Sequence, residues 1–288
     1  MRIQSLDVPK STLGEGPVWS DRDGCLYYVD ILSYRVQAYT PSTKQYRSWT
    51  FDTYVGSLAE CRSGGLLLSL GGRLVRFDPN KGLSSLEPFV DLEADRPGNR
   101  LNDGKVDPWG RFWVGSLKVE GEESEGRLWC VSGDGTAELV RDGVGCSNSL
   151  AFDAQRNRAY FADSKLLLIE VSDLDAAHRV KGFKPFAKTT AGDPDGSCTD
   201  AAGYLWNAEW GGSRITRYAP DGSIERTLPM PMSRPSCCTF GGPGYRTLFV
   251  TSASNMSSEE LAADPQAGAL LSVELDDIAG LPATLFTL

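Results

Sequence analysis

A chain of 288 residues, 41% of them hydrophobic, can bury its own core without staples, and although that length would hold two average domains, all-β folds of this size also occur as one. Lys and Arg number 29 against 38 Asp and Glu, and the resulting net charge of −9 repels a phosphate backbone, which argues against nucleic acid as a partner. No apolar run reaches the roughly 18 residues of a membrane span, and residues 1–10 lack the basic-then-apolar order of a secretion signal, so the expectation is a cytoplasmic protein with no membrane partner.

Short β-rich runs bounded by Gly, Asn, Asp and Pro dominate the chain. A turn followed by an alternating strand recurs at residues 23–29, 64–68, 110–114, 157–162, 203–207 and 245–250. With Leu26, Leu66, Phe112, Ala159, Leu205 and Leu248 as markers, the steps are 40, 46, 47, 46 and 43 residues. A period in this range is the signature of propeller blades. After each marker comes another strand-like run (35–39, 73–78, 127–131, 166–171, 214–218 and 269–273), several of them ending in tight turns such as Asp78-Pro79-Asn80-Lys81-Gly82. The reading is therefore all-β: one six-bladed β-propeller over residues 1–288, each blade a four-stranded antiparallel sheet. Residues 2–8 have no partner in the first unit and are expected to close the ring as the outer strand of a last blade formed by residues 235–288. Residues 257–263 read as a short helical insert in that blade.

Seven cysteines make an odd count with no Cys-x-x-Cys spacing, which points to free thiols in a reducing compartment. The single histidine, His178, lies in the polar stretch 173–181, which disfavours Ser-His-Asp and Cys-His chemistry.

In a propeller the first strand of each blade lines the central channel, and its start opens onto one face. That place holds Glu15, 11 residues before Leu26; Asn102, 10 before Phe112; Asn148, 11 before Ala159; and Asp195, 10 before Leu205. In the second blade it is Gly56, and in the sixth it falls near Ser236. Equal register around an axis brings such side chains together. Two carboxylates and two amides form a hard-oxygen set suited to one divalent ion such as Ca²⁺, Mg²⁺ or Mn²⁺. The competing reading is that these polar residues only form turns, as Asp195-Gly196 after Pro194 would do comfortably.

The runs Leu13-Gly14-Glu15-Gly16-Pro17-Val18-Trp19, Arg100-Leu101-Asn102-Asp103-Gly104-Lys105-Val106-Asp107, Ser147-Asn148, Pro194-Asp195-Gly196 and Thr239-Phe240-Gly241-Gly242-Pro243 resemble the signature segments of the regucalcin (senescence marker protein) and gluconolactonase family. The likeness extends from about Leu6 to Val273. It implies a propeller that hydrolyses sugar lactones with one divalent cation on the axis: Ca²⁺ foremost, with Mn²⁺, Mg²⁺, Fe²⁺ or Zn²⁺ open. By matching position, Glu15, Asn148 and Asp195 would hold the metal, Asp195 would also be the general base, and Arg100 and Asn102 would bind the sugar. Glu120 matches a substrate-contacting acidic residue of some members. One departure stands out: relatives often have glycine where this chain has Ser149, and serine tolerates positive φ poorly.

Opening a lactone needs an electrophile for the carbonyl oxygen and a base for water, and no nucleophilic side chain. Arg100 offers a planar fork of donors to the substrate, or else pairs with Asp103 or Asp107. Trp113 and Trp206 read as blade packing and Trp210 as a pocket wall. The glutamate-rich loop 118–126 reads as solvated surface or as a lid. The expected partner is a small sugar lactone, and the expected state is a monomer or weak homo-oligomer. The alternatives are an ester or organophosphate hydrolase on the same scaffold, or a calcium- or ligand-binding propeller without turnover.

Overall fold

The turn-and-strand repeats fold as six antiparallel sheets of four strands each, arranged as the blades of a propeller. This is seen in a computed structural model that describes residues 2–121 and 123–288. The inner strands, in blade order, are Gly14–Ser20, Val55–Glu60, Asn99–Val106, Ser147–Asp153, Asp193–Thr199 and Pro235–Gly241. In blades 1 to 5 the four strands lie side by side in chain order. The sixth is completed by Arg2–Ser5, which pairs with Leu271–Glu274 so that Arg2 faces Glu274 and Ser5 faces Leu271. This is the closure expected from the unpartnered N-terminal segment.

Blades are held together by apolar side chains between adjacent sheets. Trp19, Leu26 and Tyr28 of blade 1 pack on Phe249 and Leu270 of blade 6, and Ala151, Tyr160 and Ile169 of blade 4 pack on Leu205 and Tyr218 of blade 5. Hairpins are pinned at their turns by aspartates that end the inner strands. Asp107 accepts from the Trp109 and Arg111 amides and from Trp113 Nε1, and Asp200 accepts from the Ala202 and Tyr204 amides and from Trp206 Nε1. Trp113 and Trp206 are thus buried blade residues, as expected.

All six inner strands share one irregularity. Their pairing with the second strand slips between Glu15 and Val18, Val55 and Leu58, Leu101 and Gly104, Asn148 and Ala151, Pro194 and Ser197, and Pro235 and Cys237. A bulge bends its strand and re-aims the side chains beside it. Placed at the same level in every blade, it turns the residues next to it toward the axis. In blade 2 that residue is Gly56, where a Cβ would stand 2.3 Å from the Leu101 carbonyl oxygen, so close approach of two inner strands leaves no room for a side chain.

The last blade departs from the expectation that it runs to residue 288. Its third strand ends at Glu274, and the following segment leaves the sheet to cross the channel mouth opposite the strand starts. On the way the Ala201 amide donates to Ala279, the Phe286 amide to Glu60, and the Thr287 amide to Gly110, so blades 5, 2 and 3 are joined. Phe286 explains the departure. It is fully buried among Ala59, Cys61, Leu74, Leu101 and Phe112, edge-on to Phe89 at 5.8 Å.

The helical insert forms at Ser258–Ala263, with a capping box between Ser257 and Glu260. Among the described residues no helix is long and apolar enough to cross a membrane. All seven cysteines are free thiols; Cys198 and Cys238 touch across blades 5 and 6 at 3.7 Å. His178 stacks on Trp109 at 3.6 Å in a turn, outside the candidate site.

Truncating a fully buried phenylalanine costs about 3–5 kcal/mol. Phe286→Ala should therefore lower unfolding free energy by about that amount in denaturant titration. An unchanged midpoint would show that the C-terminal segment adds little to the ring.

Candidate active site

The starts of the inner strands surround a cavity of about 210 Å³. Glu15, Arg100, Asn102, Asn148 and Asp195 all line it, and all five are buried. Register alone thus brought together the four oxygen-bearing residues from four different blades.

A chain of hydrogen bonds runs from Arg100 around this ring. Arg100 Nη1 donates to Asn102 Oδ1 at 2.6 Å; Asn102 Nδ2 donates to Asn148 Oδ1 at 3.0 Å; and Asn148 Nδ2 donates to Ser164 Oγ at 2.8 Å. Each donation fixes the direction of the next amide, which leaves both asparagine oxygens on the Arg100 side of their amides. Arg100 pairs with neither Asp103 nor Asp107. Its guanidinium lies 5.6 Å over the Tyr54 ring, Asp107 is taken by Arg111, and Asp103 Oδ2 accepts from the Leu150 amide. Asp103 Oδ1 is buried without a hydrogen-bond partner.

Glu15 and Asp195 are both buried in this one cavity, and the Glu15 carboxylate is among the neighbours that favour the protonated form of Asp195. Burial first, and then the neighbouring carboxylates, push Glu15 up to about 8 and Asp195 well above the usual carboxylate range. The Gly16 amide donates to Glu15 Oε2 at 2.8 Å, and Lys105 and Arg100 lend positive charge, but these only partly offset the loss of water. Two buried carboxylates with an amide oxygen in the same cavity fit a hard divalent cation, whose charge would offset theirs. Among the described residues no group of three His, Cys, Asp or Glu forms a metal cluster; the third candidate donor here is an amide.

Glu120 does not join the site. It is exposed in the turn after Phe112–Lys118, and the wall on that side is Leu117. In the loop 118–126, Glu122 lies outside the described residues; Lys118 pairs with Glu123 and Glu125 at 3.2 and 3.1 Å.

Apart from Trp210, the rest of the wall is not picked out from the sequence, although the spacing carries a signal for it. Ile31, Leu117, Ser164 and Trp210 line the cavity, and each stands five residues after its blade marker (26 to 31, 112 to 117, 159 to 164, 205 to 210). They are the far ends of second strands, which return to the face where the first strands begin. Trp210 was expected as a wall, while Leu13, Cys146, Asp193 and Asn255 were not singled out.

Residues 13–254 match the family described as "SMP-30/Gluconolactonase/LRE-like region". The chain belongs to this family. It is 32% identical to a 6-deoxy-6-sulfogluconolactonase of Pseudomonas putida, over 96% of this chain and 95% of that one. It is 36% identical to an L-arabinolactonase of Azospirillum brasilense, over 90% and 87% of the two chains. A solved structure described as a calcium-binding protein, regucalcin, from Agrobacterium tumefaciens superposes with a TM-score of 0.93 at 28% identity, covering 99% of this chain and 97% of that one. Lactonases are carboxylic ester hydrolases, and two of these relatives are named as such.

Because folded Glu15 holds its proton more tightly than the unfolded chain does, the stability it contributes is present below pH 4.5 and lost as pH rises through about 8. In the presence of a chelator the melting temperature should fall across this window, and a divalent ion added at the alkaline end should restore it, whereas below about pH 8 the same ion should bind with release of protons. A melting temperature that stays flat or rises in chelator contradicts the buried carboxylate pair.

Proposed function

We propose that the protein opens the ester bond of a single-ring sugar lactone with water to give the aldonic acid. Glu15, Asn148 and Asp195 would hold one divalent cation, Ca²⁺ foremost, and Arg100 and Asn102 would bind the sugar. The observation that carries this reading is the buried Glu15–Asp195 pair within the small cavity. The cavity is small, about 210 Å³, as suits a small-molecule substrate.

The wall offers no activated nucleophile. Burial pushes the Cys146 thiol up to about 12, Ser164 Oγ donates to the Pro194 carbonyl at 2.6 Å, and no histidine lines the cavity. Water therefore attacks directly. As its oxygen bonds to the lactone carbonyl carbon, its proton passes to the Asp195 carboxylate. Collapse of the tetrahedral adduct breaks the bond to the ring oxygen, which takes the proton back from Asp195 and becomes a hydroxyl of the open acid. A bound cation supplies Lewis acidity toward the carbonyl oxygen and lowers the pKa of Asp195, which keeps it ionised as a base. Arg100 is held in place through Asn102 and the Leu101 carbonyl, and it presents its remaining donors to the ring substituents.

A second reading, a calcium-binding propeller without turnover, is favoured by the description of the Agrobacterium relative. Acid release from gluconolactone, arabinonolactone, xylonolactone and galactonolactone, corrected for spontaneous opening and repeated with chelator, separates the two. Chelator-sensitive release supports the lactonase. Calcium binding with no release on any of the four supports the second reading.

Asp195→Asn keeps an oxygen and removes basicity, so kcat should fall by about two orders of magnitude or more. Full activity of this variant rules out Asp195 as the base. Arg100→Ala should lower kcat/KM by about one to two decades with metal content unchanged, because one charged hydrogen bond contributes roughly 1.5–3 kcal/mol. Glu15→Gln should instead lower metal occupancy, with activity partly recovered by excess cation. Loss of the ion in Arg100→Ala, or its unchanged retention in Glu15→Gln, would misassign the two groups.

A further inference from the structure

The peptides that carry the three candidate ligands are gripped from the neighbouring blade. The Gly14 carbonyl, just before Glu15, accepts from Ser236 Oγ of blade 6. The Ser147 carbonyl, just before Asn148, accepts from Asn102 Nδ2 of blade 3 at 2.9 Å. The Pro194 carbonyl, just before Asp195, accepts from Ser164 Oγ of blade 4 at 2.6 Å. The carbonyl of Asp195 is held as well, by Ser149 Oγ of blade 4 at 2.6 Å and by Asn207 Nδ2 at 2.8 Å.

Ser149 is the unusual member of this set. It sits at φ +60° and is fully buried, in the left-handed region that glycine enters freely and a side chain resists. Backbone strain of this kind persists only where the surroundings hold it. Here the hydroxyl is saturated: it donates to the Asp195 carbonyl and accepts from Asn207 Nδ2 at 2.9 Å. The same Asn207 Nδ2, with two hydrogens to share among three acceptors, is also within reach of the Asp195 carbonyl at 2.8 Å and Ser197 Oγ at 2.9 Å. Ser149, Asn207 and the Asp195 carbonyl form a knot across the boundary of blades 4 and 5, on the backbone of the residue that carries the Asp195 carboxylate. A glycine would satisfy the backbone at position 149 without strain, and it would leave the knot short of one donor.

We propose that Ser149 is a positioning residue: its hydroxyl fixes the Asp195 peptide, and through it the direction of the Asp195 carboxylate toward Glu15 and Asn148. The inference rests on the proposed lactonase reading and extends it to a residue that touches neither substrate nor cation. Stability and function are coupled in opposite senses at this one position. The strained backbone lowers stability, and the hydrogen bond it permits orders the carboxylate.

Two variants test this, Ser149→Gly and Ser149→Ala, with Ca²⁺ affinity measured by calorimetry, melting temperature by scanning calorimetry, and kcat and KM on whichever of the four lactones the wild type opens. Ser149→Gly relieves the strain and should melt at or above the wild-type temperature. It should still bind Ca²⁺ about three- to tenfold more weakly and lose about tenfold in kcat with KM near wild type, as expected for one lost buried hydrogen bond. Ser149→Ala keeps the strain and lacks the bond, so it should show the same loss of affinity and kcat together with a lower melting temperature. Wild-type Ca²⁺ affinity and kcat in Ser149→Gly would overturn the proposal and leave the lactonase reading standing. A wild-type protein that neither binds a divalent ion nor opens a lactone would overturn that reading, and this inference with it.

Discussion

Glu15 and Asp195 reach the channel from blades 1 and 5 and bury their carboxylates in one cavity, and the cost of burying two like charges there sets what the surrounding structure has to supply. Like charges removed from water are tolerated in one cavity only with protons or a cation to offset them. The ring therefore surrounds the pair with groups that favour negative charge or fix direction. Arg100 and Lys105 add positive charge, the Gly16 amide binds Glu15, and the Asn102 to Asn148 relay keeps amide oxygens from turning away. The six aligned bulges make this possible, because each inner strand can turn one residue toward the axis without losing its pairing above and below.

Much of this was legible in the sequence because a propeller repeats its register. Spacing between Leu26, Leu66, Phe112, Ala159, Leu205 and Leu248 located the inner strands, and a constant offset before each marker found the residues that converge. What escaped were features that depend on a single blade or on distant chain. Glu120 was placed by likeness in a loop, and loop geometry follows local sequence; the cavity wall on that side is built by Leu117. The segment after Glu274 carries no strand pattern, and its course is decided by where Phe286 finds apolar partners in blades 2 and 3. The strain at Ser149 could be suspected from a serine in a glycine's place, but the carbonyl it holds lies 46 residues away in the next blade.

The cavity divides its labour between two sets of positions. First-strand residues supply the charges and the amides. Second-strand ends, five residues past each marker, supply Ile31, Leu117, Ser164 and Trp210. Three of these are apolar, and they flank the ring rather than belong to it. Trp210 is steadied by Arg234, whose guanidinium lies 5.3 Å over the indole while Nη1 donates to the Asn255 carbonyl at 2.7 Å. Wall residues of this kind can change in shape while the polar relay stays intact, which suits a family whose members are named for different sugar lactones.

The pairing of Arg2–Ser5 with Leu271–Glu274 has a consequence for how the molecule assembles and fails. Contacts within each blade are local, but this one joins segments about 270 residues apart, so the ring can seal only after every blade is in place. Until then, Leu271–Glu274 presents unpaired amides and carbonyls along three consecutive buried positions, Leu271, Ser272 and Val273. An open edge of that kind is a template for another chain. Molecules caught with the first strand detached would associate by exchanging it, each one's N-terminal segment completing its neighbour's sixth blade.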